Sequence, residues 1–277
     1  MELIGVWGSQ GSGKSTVSLE LAKNIVKETN ENCLLIFCED LGSPLSFLFP
    51  GLSKSGGSLG DIITSAGFSQ DELKKTLVSH PKNQHLAFLG YREEESKLTY
   101  PTVGESQVID LFITLKQIFK YIVVDCKSDF TTDLITKYVL QEGKCLMLGG
   151  GDLKSVAFFN ATLRLMNDYP GFRDRKIKAV NNPWDFETWR LIADKYAGTE
   201  YFFPYCSEIQ KMYLEERNIE DLDNSKRNRD FSVEMNDLTI QLLGLEPISK
   251  KEAKHAKKIK KVSHRRSKVV EVAEYEQ

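Results

Sequence analysis

The sequence predicts an α/β protein whose doubly wound, mainly parallel sheet is covered by helices on both faces, a three-layer arrangement. Short runs of β-prone apolar residues alternate with stretches in which apolar residues recur at helical spacing. One run, Cys33–Cys38, is continuously apolar, as in a parallel strand buried on both faces. Because parallel strands are joined by crossovers, this alternation favours a parallel sheet. The chain of 277 residues, 41% hydrophobic, is long enough for one such core.

In the first part of the chain, the apolar runs predict strands at 2–7, 33–38 and 86–89. Helical spacing of apolar residues predicts helices at 15–28, 59–65 and 70–78. Residues 42–60 are rich in Gly, Pro and Ser, so we expect an irregular loop there, with a short apolar patch at 45–52.

In the second part, β-prone runs predict strands at 121–125, 144–148, 177–180 and 201–203. Helices are predicted at 105–119, 133–141, 152–167, 185–196 and 231–245, and a further helix follows the strand at 201–203 and ends at residue 216. Strands and helices therefore keep alternating, and any ligand should lie beyond the carboxyl ends of the strands.

Charge divides the chain into a folded domain, residues 1–249, and a basic, flexible tail, residues 250–277. The segment from Lys250 to Lys268 holds eight Lys and two Arg against the single acid Glu252, whereas acidic side chains are in excess before it. The five cysteines lack CxxC spacing, and no run of residues is apolar enough to span a bilayer or resembles a secretory signal. We therefore expect buried, reduced thiols and a cytoplasmic protein.

A glycine-rich stretch between the first predicted strand and helix carries the clearest chemical signal. Gly8-x-x-x-x-Gly13-Lys14-Ser15 fits the Walker A pattern in its strand–loop–helix context, which predicts a phosphate-binding loop for ATP. Glycines let backbone N–H groups converge on phosphate oxygens, and the following helix adds its positive end. Lys14 is expected to reach the terminal phosphates, and the Ser15 hydroxyl to ligate Mg²⁺. The predicted nucleotide-binding residues of the loop are Gly11, Ser12, Gly13, Lys14, Ser15 and Thr16.

Asp125 ends a predicted strand of four β-prone residues. It is placed like a Walker B aspartate, which holds Mg²⁺ directly or through water on a strand beside the phosphate loop. An aspartate at a strand end is also a common turn residue, and that interpretation is the alternative.

The order of these features resembles the MinD/ParA family of P-loop ATPases, especially its CpaE/TadZ-like branch. The resemblance covers roughly residues 1–215. It depends on the phosphate loop, Asp40 after the second strand, the run YIVVD, Asn181 after a later strand, and the segment FFPYCSEIQKMYLEE. It implies a P-loop NTPase fold in the domain 1–249.

The resemblance also implies roles for particular residues. Asp40 matches a first-switch position that assists Mg²⁺ or the attacking water, although a helix or turn cap is an equal alternative. Asn181 matches an adenine-contacting residue, with Asn182 as the alternative register. Pro204 matches the proline of the adenine-side loop. Lys14 and Asp40 are therefore the expected catalytic residues, and Ser15, Asp40 and Asp125 the expected metal ligands.

Two departures from the family pattern bear on activity. Family members carry a second, signature lysine early in the loop, where this chain has Ser9 and Gln10. A neutral side chain cannot neutralise charge that develops on the transferred phosphoryl group. The segment after Asp125 also lacks the Pro and Gly of the second switch, although Lys127 or Asp129 could replace part of it. We expect a weak ATPase, a nucleotide-dependent switch with slow or partner-activated hydrolysis.

By resemblance, such a protein positions or assembles a pilus, secretion or conjugation machine and forms a nucleotide-dependent homodimer. The alternatives are a ParA-type DNA-segregation ATPase and a pseudo-ATPase scaffold. The tail from Lys250 to Lys268 lacks bulky apolar residues but could attach electrostatically to anionic lipid headgroups, peripheral to the membrane, or to DNA without sequence preference. A solvated tail that only keeps the protein soluble is the remaining interpretation.

Overall fold

A computed structural model of the chain describes most of the predicted domain. The described residues are 2–49, 51, 56–65, 67–166, 172, 174–181, 195–196, 198–223, 225 and 228–246. Contacts divide the chain into two units, residues 1–239, which contain the whole described sheet, and residues 240–277. The predicted helix at 185–196, the alternative Asn182 and the basic tail lie wholly or mostly outside the described residues.

The described residues form one sheet of eight strands in the order β3-β4-β2-β5-β1-β6-β7-β8. All neighbouring strands are parallel except β3 and β4. The strands are β1 (Glu2–Gly8), β2 (Cys33–Phe37), β3 (Val78–Ser79), β4 (Leu86–Leu89), β5 (Tyr121–Asp125), β6 (Lys144–Gly150), β7 (Lys176–Asn181) and β8 (Tyr201–Phe203). The mainly parallel α/β sheet is thus confirmed.

Helices cover the sheet on both faces. They are α1 (Lys14–Thr29), α2 (Pro44–Leu48), α3 (Leu59–Thr64), α4 (Gln70–Thr76), α5 (Glu105–Leu115), α6 (Leu134–Glu142), α7 (Leu153–Met166), α8 (Ser207–Leu214) and α9 (Arg229–Leu243), with a 3₁₀ turn at Lys97–Thr99. None of the helices described is long and apolar enough to cross a membrane.

The alternation of side chains along β1 separates the two covering layers. A Cβ added to Gly5 would meet Val139 of α6, and Trp7 belongs to the same buried cluster as Val139 and Phe112 of α5. Because successive side chains in a strand point to opposite faces, Ile4 and Val6 lie on the other face, the side on which α1 packs. The structure therefore has the three layers that the sequence predicts.

The structure corrects several predicted boundaries. The loop predicted at 42–60 contains the short helix α2, and the predicted helix 70–78 ends at Thr76, followed by the antiparallel edge strand β3. The strand predicted at 144–148 continues to Gly150, since β7 pairs with it as far as Asn181. All five cysteines are buried and unpaired, as predicted.

Gly8 gives a stability prediction for this fold. It ends β1, and a Cβ at this position would collide with the backbone carbonyl of Leu148 in β6. Gly8→Ala should therefore lower the free energy of unfolding by about 2 kcal/mol, within the range for overpacking. Gly51→Ala is the matched control, because an added Cβ meets nothing there. Urea unfolding of both variants measures the effect, and equal stability of Gly8→Ala and the native chain would contradict the close approach.

Candidate functional site

The phosphate loop predicted from the sequence connects β1 to α1 at the carboxyl edge of the sheet. Gly13 precedes α1 in the left-handed conformation, with φ of 84°, and the place of its missing Cβ is occupied by the side-chain amide of Asn181. A side chain at residue 13 would be strained and would collide with this amide. The hydroxyl of Ser12 donates to the Ser9 carbonyl at 2.8 Å, which closes the loop on itself.

Lys14 is half-buried beside this loop. Its ammonium group donates to the Ser9 carbonyl at 3.2 Å and to the Ser128 hydroxyl at 2.9 Å. Both acceptors are neutral oxygens. Burial lowers the pKa of Lys14, and the negative charge of Asp125 opposes this effect. A desolvated ammonium with neutral partners is electrostatically prepared for an anion.

Asp125 ends β5 between Val6 of β1 and Phe37 of β2, and it is 3% exposed. Burial raises its pKa to about 6, while a hydrogen bond from Ser15 and the charge of Lys14 act in the opposite direction. One of its carboxylate oxygens, Oδ1, has no hydrogen-bond partner among the described residues.

These groups fit a magnesium ion. Mg²⁺ prefers hard oxygen ligands and is usually held by one or two protein groups together with substrate phosphates and water. The buried, unpartnered Oδ1 of Asp125 and the nearby Ser15 hydroxyl are oxygens of this kind. The described residues contain no cluster of three or more metal-ligating side chains, so phosphates would have to complete the coordination.

A cavity of about 710 Å³ extends from the loop along the carboxyl edge of the sheet. Its polar end is lined by the predicted nucleotide-binding residues Gly11–Thr16, with Gln10, Glu39 and Asp125. Its other end is more apolar, and Phe47 of α2 and Tyr213 of α8 meet there with ring centroids 5.7 Å apart. The volume is that of a small-molecule site, and the lining suits a ligand with one polar and one apolar end.

Asp40 does not line this cavity. It is 3% exposed and forms an ion pair with Lys127, and its other oxygen accepts a hydrogen bond at 2.7 Å from the backbone N–H of Lys97. In this conformation Asp40 joins three segments of the chain to one another. Its predicted roles as metal ligand and catalytic residue stay predictions, and they require this carboxylate to exchange partners.

Asn181 and Pro204 both line the cavity, as their predicted roles require. Asn181 is the last residue of β7, and its side-chain amide donates to the Ser12 carbonyl at 2.8 Å. The amide therefore supports the phosphate loop in this conformation. Adenine contact by either residue stays a prediction.

Ser9 occupies the place at which the family pattern has its signature lysine. Its side chain is 2% exposed and shares a hydrogen bond with the Ser155 hydroxyl of α7, which also accepts from the Gly150 backbone N–H at 3.0 Å. Ser9 thus faces inward and ties the loop to β6 and α7. Gln10, by contrast, is exposed and lines the cavity.

The sequence prediction missed two residues of the site. Glu39 lines the cavity, and its charge acts on both Lys14 and Asp125. Its position beside Asp40 at the end of β2 was the available signal. Ser128 contacts Lys14 through its hydroxyl and accepts from the Trp7 indole N–H at 3.1 Å through its carbonyl. A lone serine three residues after Asp125 gives no comparable signal.

No protein-family model matches the sequence, and no curated protein sequence matches it either. Solved structures with the same fold are nevertheless numerous. A ParA family ATPase from Chlorobium tepidum TLS superposes with a TM-score of 0.69 at 16% identity, covering 86% of this chain and 98% of the other. MinD from Aquifex aeolicus gives 0.65 at 16% identity, covering 89% and 98%.

MinD from Pyrococcus horikoshii OT3, in complex with Mg-ADP, gives a TM-score of 0.63 at 15% identity, with 87% of this chain and 96% of that one covered. Sequence identities this low establish similarity of fold alone. The phosphate loop, the sheet order and these superpositions agree with one another. The chain therefore has the α/β P-loop fold that the MinD and ParA ATPases share.

Proposed function

We propose that the protein is a MinD/ParA-like switch that binds ATP with Mg²⁺. One observation carries this proposal. A half-buried Lys14 ammonium, bonded only to neutral oxygens, and an Asp125 carboxylate oxygen without a hydrogen-bond partner among the described residues both lie at the polar end of the 710 Å³ cavity. A terminal phosphate would give Lys14 an anionic partner, and a magnesium ion would give Asp125 one. ADP also ends in a phosphate, so ADP with Mg²⁺ would use the same two groups, Lys14 and Asp125.

Magnesium would supply charge neutralisation at the phosphates, and Ser15 and Asp125 would hold it. The Mg-ADP complex of the Pyrococcus horikoshii MinD supports this choice by similarity of fold. Asn181 and Pro204, which both line the cavity, would lie beside the adenine. Asp40 would join the metal or the attacking water only after it releases Lys127.

Hydrolysis of ATP to ADP and phosphate is proposed to be slow, or activated by a partner. Two observations support this. The side chain at the signature position, Ser9, is neutral and buried, and Asp40 is engaged by Lys127. Charge that develops on the phosphoryl group is then stabilised by fewer cations than in enzymes with a second lysine.

The order of the phosphate loop, Asp40, the run YIVVD and Asn181 supports the proposal that the protein belongs to the CpaE/TadZ-like branch. We therefore propose that the protein positions or assembles a pilus, secretion or conjugation machine and dimerises with nucleotide. The basic segment Lys250–Lys268 would contact anionic lipid at the membrane surface or DNA through its charge.

A pseudo-ATPase scaffold is the second candidate. The same two features favour it, because a buried Ser9 and a paired Asp40 are compatible with a site that does no chemistry. The intact Gly13-Lys14-Ser15 sequence and the open cavity argue for binding. Nucleotide affinity and phosphate release separate the two hypotheses.

Substitution of Lys14 tests the binding proposal. Lys14→Ala should weaken binding of Mg·ATP at least 100-fold, since it removes charge-assisted hydrogen bonds to the phosphates. Lys74→Ala, at an exposed lysine of α4, should bind as the native chain does. Calorimetry gives the affinities, and phosphate release measured in the same samples gives the turnover.

Tight binding by the native chain with little phosphate release would support the switch. Turnover by the native protein alone at rates typical of ordinary ATPases would contradict slow hydrolysis. Absence of binding by the native chain would contradict the whole proposal and leave the scaffold.

The pKa of Asp125 gives a second prediction, for the nucleotide-free protein. Because burial raises this pKa to about 6, the folded state holds the proton more tightly than the unfolded state. The contribution of Asp125 to stability therefore falls as pH rises from about 4 to about 6. Asp125→Asn removes this dependence, so the stability of the variant relative to the native chain should rise by about 2 kcal/mol between pH 4 and pH 7.

Urea unfolding of the native chain and of Asp125→Asn at both pH values measures this difference. Adding Mg·ATP at pH 7 should then stabilise the native chain and stabilise the variant much less. A stability difference that is constant with pH would show that Asp125 titrates normally and is not buried as described.

A further inference from the structure

Gln10 is the second residue of a tight turn in the phosphate loop. The backbone N–H of Ser12 donates to the Ser9 carbonyl at 3.3 Å, which closes a four-residue turn with Gln10 and Gly11 in the middle. Gly11 has φ of 80°, the value that a type II turn requires at its third residue. Gln10 is exposed and lines the polar end of the cavity, so a bound ligand can reach its side-chain amide.

Gln10 and Ser9 face in different directions, although both stand where the family pattern has its signature lysine. The Ser9 hydroxyl is buried and shares a hydrogen bond with Ser155 of α7. A side chain at residue 9 therefore meets the interior of the protein, whereas a side chain at residue 10 meets the cavity. Of these two neutral side chains, Gln10 is the one that can act on a nucleotide.

Lys14 indicates where a terminal phosphate would lie relative to Gln10. The Lys14 ammonium donates to the Ser9 carbonyl at 3.2 Å, and this carbonyl belongs to the peptide bond between Ser9 and Gln10. A terminal phosphate bound to Lys14 would therefore lie beside this peptide unit, at the polar end of the cavity. The Gln10 side chain starts from the same place, so its amide can reach the phosphoryl group that hydrolysis transfers.

A glutamine amide can stabilise that group, although less strongly than a lysine can. Its NH₂ group has two hydrogen-bond donors and carries no net charge. Donors aimed at oxygens on which negative charge develops lower the barrier to phosphoryl transfer, and a cation in the same place lowers it further. An amide at residue 10 is thus compatible with the slow hydrolysis proposed above.

We propose that Gln10 is a further catalytic residue, whose side-chain N–H donates a hydrogen bond to an oxygen of the γ-phosphoryl group during its transfer to water. In this step a water oxygen forms a bond to the γ-phosphorus, while the bond from this phosphorus to the β–γ bridging oxygen breaks. The electron pair of the broken bond remains on ADP, and the attacking water gives up one proton to solvent. The inference rests on the proposed function, because it requires that the cavity bind Mg·ATP.

Two substitutions separate the hydrogen bond of Gln10 from its bulk. Gln10→Ala removes the donor and should lower the single-turnover rate of phosphate release about tenfold, the effect expected for one hydrogen bond to a charged group. Its affinity for ADP should stay at the native value, since ADP has no γ-phosphate. Gln10→Glu keeps the shape of the side chain but replaces the donor by a negative charge, so its rate should be lower still.

A transition-state analogue gives a readout that does not depend on turnover. Aluminium fluoride bound beside ADP takes the place of the phosphoryl group in transfer, so it should tighten the binding of Mg·ADP to the native chain. Gln10→Ala should lose about tenfold of this gain. Calorimetry on the full-length chain measures the ADP affinity with and without aluminium fluoride. A residue that only shaped the loop would change both affinities alike.

Gln84→Ala is the matched control. Gln84 is also an exposed glutamine in a turn, but this turn precedes β4 at the amino edge of the sheet, the edge opposite the phosphate loop. The control variant should keep the native rate of phosphate release and the native affinity for Mg·ADP with aluminium fluoride.

The outcomes distinguish this inference from the proposed function. If the native chain binds neither ADP nor AMPPNP, both fail. If it binds nucleotide but releases no phosphate and gains no affinity from aluminium fluoride, nucleotide binding stands and the role of Gln10 is overturned. Native values in Gln10→Ala, or an equal loss of affinity with and without aluminium fluoride, overturn it as well. A loss confined to phosphate release and analogue binding supports it.

Discussion

The parallel pairing of β1 with β5 and β6 is the constraint on which the rest of the site depends. Because the carboxyl ends of parallel strands meet at one edge, the loop after Gly8 lies beside Asp125 of β5 and beside the end of β6. Backbone bonds continue this alignment past the strands, from the Cys126 N–H to the Val6 carbonyl and from the Cys38 N–H to the Asp125 carbonyl. Residues that are far apart in sequence are thereby held next to the phosphate loop.

The consequence is a site in which two lysines are already engaged before any ligand arrives. Lys14 donates hydrogen bonds to Ser9 and Ser128. Lys127 forms an ion pair with Asp40, and its ammonium nitrogen lies 4.0 Å from a carboxylate oxygen of Glu39. Through these bonds the loop, the segment after β2 and the segment after β5 form one connected network. A phosphate that attracts Lys14 would compete with its bonds to Ser9 and Ser128, and this competition is the physical basis on which we propose a switch.

The sequence predicted those parts of the fold and site that depend on local pattern. Buried strands such as Cys33–Phe37 are continuous apolar runs, and the phosphate loop has its own spacing of glycines before Lys14. The strand β3 and the helix α2 were not predicted, because each is short and is stabilised mainly by its neighbours in the fold. The partners of Asp40 and Lys14 lie 87 and 114 residues away in the chain, and no pattern in one sequence shows such pairings.

A crystal structure of the protein with Mg²⁺ and AMPPNP would test the central claim most directly. We predict that the phosphates lie against Gly11–Thr16, that the metal lies between Ser15 and Asp125, and that the Lys14 ammonium contacts the terminal phosphate. A nucleotide bound elsewhere, or a site left empty at saturating AMPPNP, would contradict it.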